Sequence, residues 1–175
     1  MSTNSLTLKQ IQEKLNVKQH VLIHLCEKGV IEPDLQETEG RGVHREFSER
    51  NLFEFALSLS IRRYEIPVLT TAAIIKLLRS FERSTQRHIK GFNLLEYLRC
   101  VEKNLDIELY FYAGTYLVFT VKQAKKFLIV AGFDLAKVIA SKGKESPKID
   151  HLEDLPDGYD SHLVFDLKQI ARKIF

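Results

Sequence analysis

Two runs rich in Tyr, Phe, Val and Ile, Asp106–Tyr112 and Thr115–Val121, flank Ala113-Gly114, and they limit what this chain can fold into more than any other feature. β-Branched and aromatic residues suit a pleated surface, and a small-residue break between two such runs marks a hairpin. The second half of the chain is therefore expected to carry an antiparallel sheet. The longest apolar stretch, Leu109–Val121, is interrupted by Ala113-Gly114-Thr115 and falls short of the ~20 residues a membrane span needs, so no membrane partner is expected. The 175 residues are 45% hydrophobic and include 11 Phe and 6 Tyr, enough to fill the core of one domain or two small ones.

The first half reads differently. Thr7 is a helix N-cap with Gln10 as its capping-box partner, and Leu8, Ile11 and Leu15 recur at helical spacing until Asn16 breaks the run. A second helix is predicted from about Lys18, with Val21, Leu22 and Leu25 on its apolar side, ending at Gly29. Two short helices joined by so short a turn are a helix-turn-helix arrangement. Val30-Ile31-Glu32-Pro33 leaves in extended form, because a proline pushes its predecessor toward β. Glu39-Gly40-Arg41-Gly42 suits a hairpin tip, with Val43–Phe47 as the return strand. Ser48 caps a third helix that carries Leu52, Phe55, Ala56 and Leu59 and stops at Pro67; Thr70 or Thr71 is expected to cap a fourth, through Leu78.

Further on, a basic helical segment over roughly Ser80–Lys103 is expected as a connector or dimer helix. Lys122–Ala140 reads as helix, split at Gly132; Ser141–Asp160 reads as loop; and His162–Leu167 reads as a strand before a short final helix. The expected fold class is α+β, in which a mostly α N-terminal part with a small β-wing precedes a small α+β domain with an antiparallel sheet. The expected divisions are 1–80, 81–104 and 105–175, the last a dimerisation or effector domain.

Several chemistries find no residues. Cys26 and Cys100 are far apart and form no CxxC, which fits a reducing compartment and no thiolate metal site. The six histidines are scattered; only His20 and His24 stand at i, i+4, and no metal is expected. There is no nucleophile elbow, phosphate loop or dinucleotide glycine pattern, so neither catalytic residues nor a cofactor are expected, and the chain is read as a non-enzyme. The acidic stretch Asp150, Glu153, Asp154, Asp157, Asp160 carries Pro156 and Gly158 and reads as a solvated loop. The aromatic run Tyr110, Phe111, Tyr112, Tyr116, Phe119 suits a strand core or dimer interface, or else a ligand pocket. Met1–Leu15 is polar and amphipathic, unlike a secretory signal, and a cytoplasmic, nucleoid-associated location is expected. The net charge of +3, from 26 Lys+Arg against 23 Asp+Glu, is too small to name a partner; the placement of the basic groups must do that.

That placement carries a resemblance. Thr7-Leu8-Lys9-Gln10-Ile11, Asn16-Val17-Lys18, Leu22, Glu27–Pro33, Arg45-Glu46-Phe47-Ser48-Glu49 and Asn51-Leu52 together resemble the MerR family over about Leu6–Leu78. The Gly29–Pro33 segment is similar to that family's Gly-Leu-Leu-x-Pro exit, and Arg45–Ser48 to its Arg-x-Tyr-Ser element. Where members carry Leu-Arg-Tyr-Tyr on the second helix, this chain has Leu22-Ile23-His24-Leu25, so only His24 keeps a polar group.

The resemblance implies a winged helix-turn-helix, transcriptional regulation and a homodimer on double-stranded DNA. Physical chemistry agrees: base edges in the major groove are read by side chains near the start of a recognition helix, where Lys18, Gln19 and His20 stand. Arg41, His44 and Arg45 of the wing, Arg50, and Arg62-Arg63 are the candidates for phosphate contact, with His24 a further contact on the second helix. One weakly charged reading head binds poorly alone, and a dimer doubles its contacts. An effector, small molecule or protein, is left open. The alternative is a protein-interaction or structural adaptor built on the same scaffold.

Overall fold

The computed structural model describes residues 5–35, 45–99, 105–112, 116–123, 126–141, 148–150 and 161–175. The fold is α+β. It divides into two compact units, one up to Ile75 and the other from Lys76 to Lys173, with the division inside a helix.

The first unit contains α1 (Leu8–Leu15), α2 (Gln19–Glu27), α3 (Glu49–Arg62) and the start of α4 (Val68–His88). Thr7 opens α1 with a complete capping box: its side chain accepts from the Gln10 amide, and the Gln10 side chain accepts from the Thr7 amide at 2.7 Å. Asn16 closes the helix in the left-handed region, φ 50 and ψ 51, a conformation its short side chain tolerates. Ile11, Leu22, Leu25, Val30, Ile31 and Phe47 are buried, and Phe47 meets Phe55 edge to face at 5.5 Å. α3 is buried from Asn51 through Ser58, polar residues included. Thr70 and Thr71 do not cap α4. The helix starts at Val68, after Pro67 has fixed its own φ, and the Thr71 hydroxyl donates to the Pro67 carbonyl at 3.0 Å within the first turn.

α4 does not stop at Leu78 but runs to His88, into the helical segment expected as a connector or dimer helix. Phe81 stacks on Phe119 of the sheet at 4.9 Å and meets Phe92 edge to face at 6.3 Å. Gly91, at φ 73, supplies the turn into α5 (Leu94–Arg99), whose first amide, Leu94, donates to the buried Glu82 carboxylate at 2.9 Å.

The sheet is antiparallel, with strand order β4-β3-β2-β1-β5. β1 (Leu105–Tyr112), β2 (Tyr116–Gln123) and β3 (Lys126–Asp134) form a meander, α6 (Leu135–Ala140) follows, and β4 (Lys148–Asp150) and β5 (His162–Asp166) occupy opposite edges before α7 (Leu167–Arg172). The predicted hairpin is present, its Ala113–Thr115 tip lying outside the described residues.

The expected helix over Lys122–Ala140 is mostly strand; only α6 is helical. Phe127–Val130 is a β-forming run, and β2 offers it a full edge to pair with, a gain that local spacing does not reveal. Gly132 is not a helix break but a seat for a ring: a Cβ there would lie 2.2 Å from the Tyr116 hydroxyl. Ser141–Asp160, read as loop, contains β4, with residues 142–147 and 151–160 outside the described set. α7 packs on the start of β1, where its buried Lys168 donates to the Leu105 carbonyl at 3.2 Å.

Candidate nucleic-acid interface

α1 and α2 are joined by Asn16-Val17-Lys18. Lys18 is the N-cap of α2 in extended conformation, φ −74 and ψ 138, and its donor-only ammonium makes no capping bond to the helix amides. Leu22 and Leu25 anchor the inner side of α2. The helical repeat then turns His20 and His24 outward, one above the other, and both are exposed together with Lys18 and Gln19. The N-cap Lys18 and Gln19 and His20 of the first turn are thus accessible at the start of the helix, with His24 accessible in its last turn.

Of the residues expected in a wing, Arg41 and His44 lie outside the described set, as does most of the predicted hairpin. Its end is described. Leu6 and Phe47 form an antiparallel bridge, the Leu6 amide donating at 2.8 Å and the Phe47 amide at 3.0 Å. Arg45, two residues earlier, is half-buried and in hydrogen-bonding contact with the Cys26 thiol of α2. Burial pushes that thiol above its ordinary pKa, and the Arg45 guanidinium offsets part of the rise. The chain entering Phe47 thus runs beside α2, and Arg45 is shared between the helix and any outside contact.

Two of the three remaining candidate arginines, Arg50 and Arg62, have tasks inside the protein. Arg50 Nε pairs with Glu54 at 3.4 Å, and Glu54 is fully buried. Asn51 joins the same cluster. Its amide nitrogen donates to the Glu32 carbonyl at 3.0 Å and to Glu54 at 3.1 Å, while its oxygen accepts from the Asp34 amide at 2.9 Å and from the Ser48 amide at 3.3 Å. Ser48 Oγ donates to Asp34 at 2.8 Å. One amide side chain therefore ties the exit from α2 to the start of α3, and Arg50 balances the carboxylate beneath it. Arg62 donates to the Ile66 carbonyl and closes the turn after α3, in which Glu65 has φ 59. Arg63 is the exposed C-cap of α3. The cue to this knot is present in the spacing Ser48-x-x-Asn51, a capping box with the shorter Asn in place of the usual Glu or Gln.

In the second unit the pleat separates the aromatic run. Phe111 and Phe119 share the face on which Phe81 stacks, whereas Tyr110, Tyr112 and Tyr116 share the other with Val118 and Val130. There Tyr110 and Tyr112 stack at 6.1 Å and His162 lies against both, at 5.8 and 5.2 Å. Lys122 donates to the Tyr110 hydroxyl at 2.6 Å and pairs with Glu108, to which Tyr110 donates at 2.7 Å. Burial works against the Lys122 ammonium, but Glu108 and Tyr110 overcome it and hold its pKa above the ordinary value; burial raises both tyrosines. The cluster places no strong base against a nucleophile. Periodicity could not find it, because Glu108 and Lys122 meet only through the diagonal across the hairpin. Among the described residues no group of three or more His, Cys, Asp or Glu is placed to hold a metal ion, and no helix is long and apolar enough to cross a membrane. No protein-family model matches the chain, and no curated protein does.

Proposed function

We propose that the chain is a MerR-like, sequence-specific transcriptional regulator that binds double-stranded DNA as a homodimer, its first unit serving as a winged helix-turn-helix. The observation that carries the reading is the exposure of Lys18, Gln19 and His20 at the start of α2, and of His24 in its last turn, on a short helix anchored from behind by Leu22 and Leu25. A helix of that size fits the major groove, and residues in its first turns reach base edges. The Arg45–Cys26 contact adds support, since a wing must run beside the recognition helix to reach the neighbouring backbone. Arg63 is the outward cation left on α3 for phosphate, with Arg41 and His44 of the wing beyond the described residues. The second unit then serves dimerisation or effector sensing, and the protein acts in the cytoplasm on the nucleoid.

Fluorescence anisotropy with random duplex DNA across a salt series tests this. Affinity is expected to fall linearly on logarithmic axes, and Lys18→Ala to reduce the slope by about 0.9, the share of one phosphate contact. Gln19→Ala is expected to leave the slope unchanged and to lower discrimination between sequences. A folded protein that binds no duplex at low salt refutes the reading.

A second reading, a protein-interaction adaptor on the same scaffold, is favoured by one observation. Arg50 and Arg62, both expected at phosphates, are engaged with Glu54 and the Ile66 carbonyl. Binding to a protein partner with no salt-dependent DNA affinity would select it.

A further inference from the structure

β5 is an edge strand that pairs with β1 on one side; among the described residues no strand pairs with its other side. Edge strands leave a row of backbone N–H and C=O groups open to another chain, and proteins normally blunt them with charge, proline or a bulge. β5 has none of these along its middle. Its sequence is His162-Leu163-Val164-Phe165-Asp166, and Val164 at its centre is 47% exposed.

The sequence of this strand is complementary to itself when turned end for end. Two copies laid antiparallel about a two-fold axis at Val164 bring Val164 against Val164, Leu163 against Phe165, and His162 against Asp166 at each end. No like charges meet, the exposed apolar side chain is covered by its own copy, and a basic and an acidic group face each other twice. Cross-strand partners in such a pair are about 4.5–5.5 Å apart, close enough for each match to count. A parallel pairing in the same register would instead oppose Asp166 to Asp166. The two ends are held in place: His162 rests on Tyr110 and Tyr112, and Asp166 caps α7 by accepting from the Gln169 amide at 2.9 Å.

We propose that a second copy of this chain docks on the β5 edge, β5 to β5 about a two-fold axis at Val164, joining two five-stranded sheets into one continuous antiparallel sheet. A closed two-fold contact of this kind uses up both edges and stops at the dimer. The proposal gives a location to the homodimer of the functional reading but stands apart from DNA binding, because the assay contains no DNA.

Sedimentation equilibrium of the full chain tests it with two substitutions of opposite sign at one position. His162→Lys strengthens the match with Asp166 of the other copy and is expected to tighten dimerisation severalfold. His162→Asp opposes two carboxylates at each end and is expected to weaken it about tenfold. Both lose the same contact with the tyrosines, so a merely structural role for His162 would move them together. Val164→Lys sets two ammonium groups face to face on the axis and is expected to leave monomer, with an unchanged far-ultraviolet circular dichroism spectrum showing that the fold persists. Cysteine at the axis, Val164→Cys in a Cys26→Ser/Cys100→Ser background, is expected to form a disulfide-linked dimer under mild oxidation, whereas Leu128→Cys, which is also exposed, is not. A wild-type monomer at high concentration overturns the proposal, as does a dimer whose affinity ignores all three β5 substitutions.

Discussion

The two units hold themselves together in opposite ways. In the first, short helices are closed by local devices, two capping boxes and a left-handed Asn16, and a single side chain, Asn51, joins segments that are distant in sequence. In the second, β1, β2 and β3 are zipped along their whole lengths, and their contacts are spread over many side chains on both faces. The helical unit therefore has one point where a small change acts widely. The sheet unit has many points where a change is absorbed.

This contrast breaks hardest at Asn51. Asn51→Leu keeps the bulk but removes a partner from the Asp34 amide and from the Glu32 carbonyl, and takes one donor from the buried Glu54. Taking a donor from the buried Glu54 carboxylate costs about 1–3 kcal/mol and the two part-buried bonds add less, so a loss of about 2–4 kcal/mol is expected. Hydrogen exchange should show it in α2 and α3 and leave β1–β3 unchanged; equal acceleration in the sheet would show that the units do not differ in this way.

The corresponding insult to the sheet is Gly132→Ala, which drives a methyl group into the Tyr116 ring and is expected to cost about 1–3 kcal/mol by chemical denaturation. Because the clash is at the end of a side chain, Tyr116→Leu in the same protein should recover most of the loss. A smaller effect is expected from Thr7→Ala, which removes an exposed cap and costs about 1 kcal/mol, read as fraying of α1.

A pH titration separates the units without mutation. Tyr110, Tyr112 and Lys122 all have folded pKa values raised above the ordinary 10.0 and 10.5. A group raised by folding contributes stability that is complete below its unfolded pKa and is lost as pH climbs through the folded one. The sheet is therefore expected to loosen from about pH 10 upward, monitored by far-ultraviolet circular dichroism. Tyr110→Phe, which removes one of these phenols, should reduce that alkaline loss. In the helical unit the raised Cys26 thiol predicts slow reaction with a disulfide reagent at neutral pH in a Cys100→Ser background, the smallest effect of the set.

The same contrast explains what was readable beforehand. The caps Thr7 and Ser48, the turn at Asn16 and the bounds of α2 follow from residues three or four apart, and the sequence states them directly. The β1–β2 hairpin was readable because its partners are neighbours along the chain. β3 reads as helix in the sequence because what makes it a strand is the edge of β2, and Gly132 reads as a break because the ring it accommodates belongs to another strand. In the candidate interface, Lys18, Gln19, His20 and His24 could be placed by helical repeat. The engagement of Arg50 with a buried carboxylate could not, since Glu54 is an ordinary surface residue until α3 is surrounded.

The position of β5 beside β1 also sets an order in time. β2, β3, α6 and β4 all lie between these partners in the chain, so the first strand of the sheet must wait for four later elements to be synthesised before β5 can cover its outer side. Pairings of such long range close slowly, and the meander can form well before them. On the ribosome, β1 therefore passes through a period with one bare edge, and the strand that finally protects it is the one whose own far side faces outward.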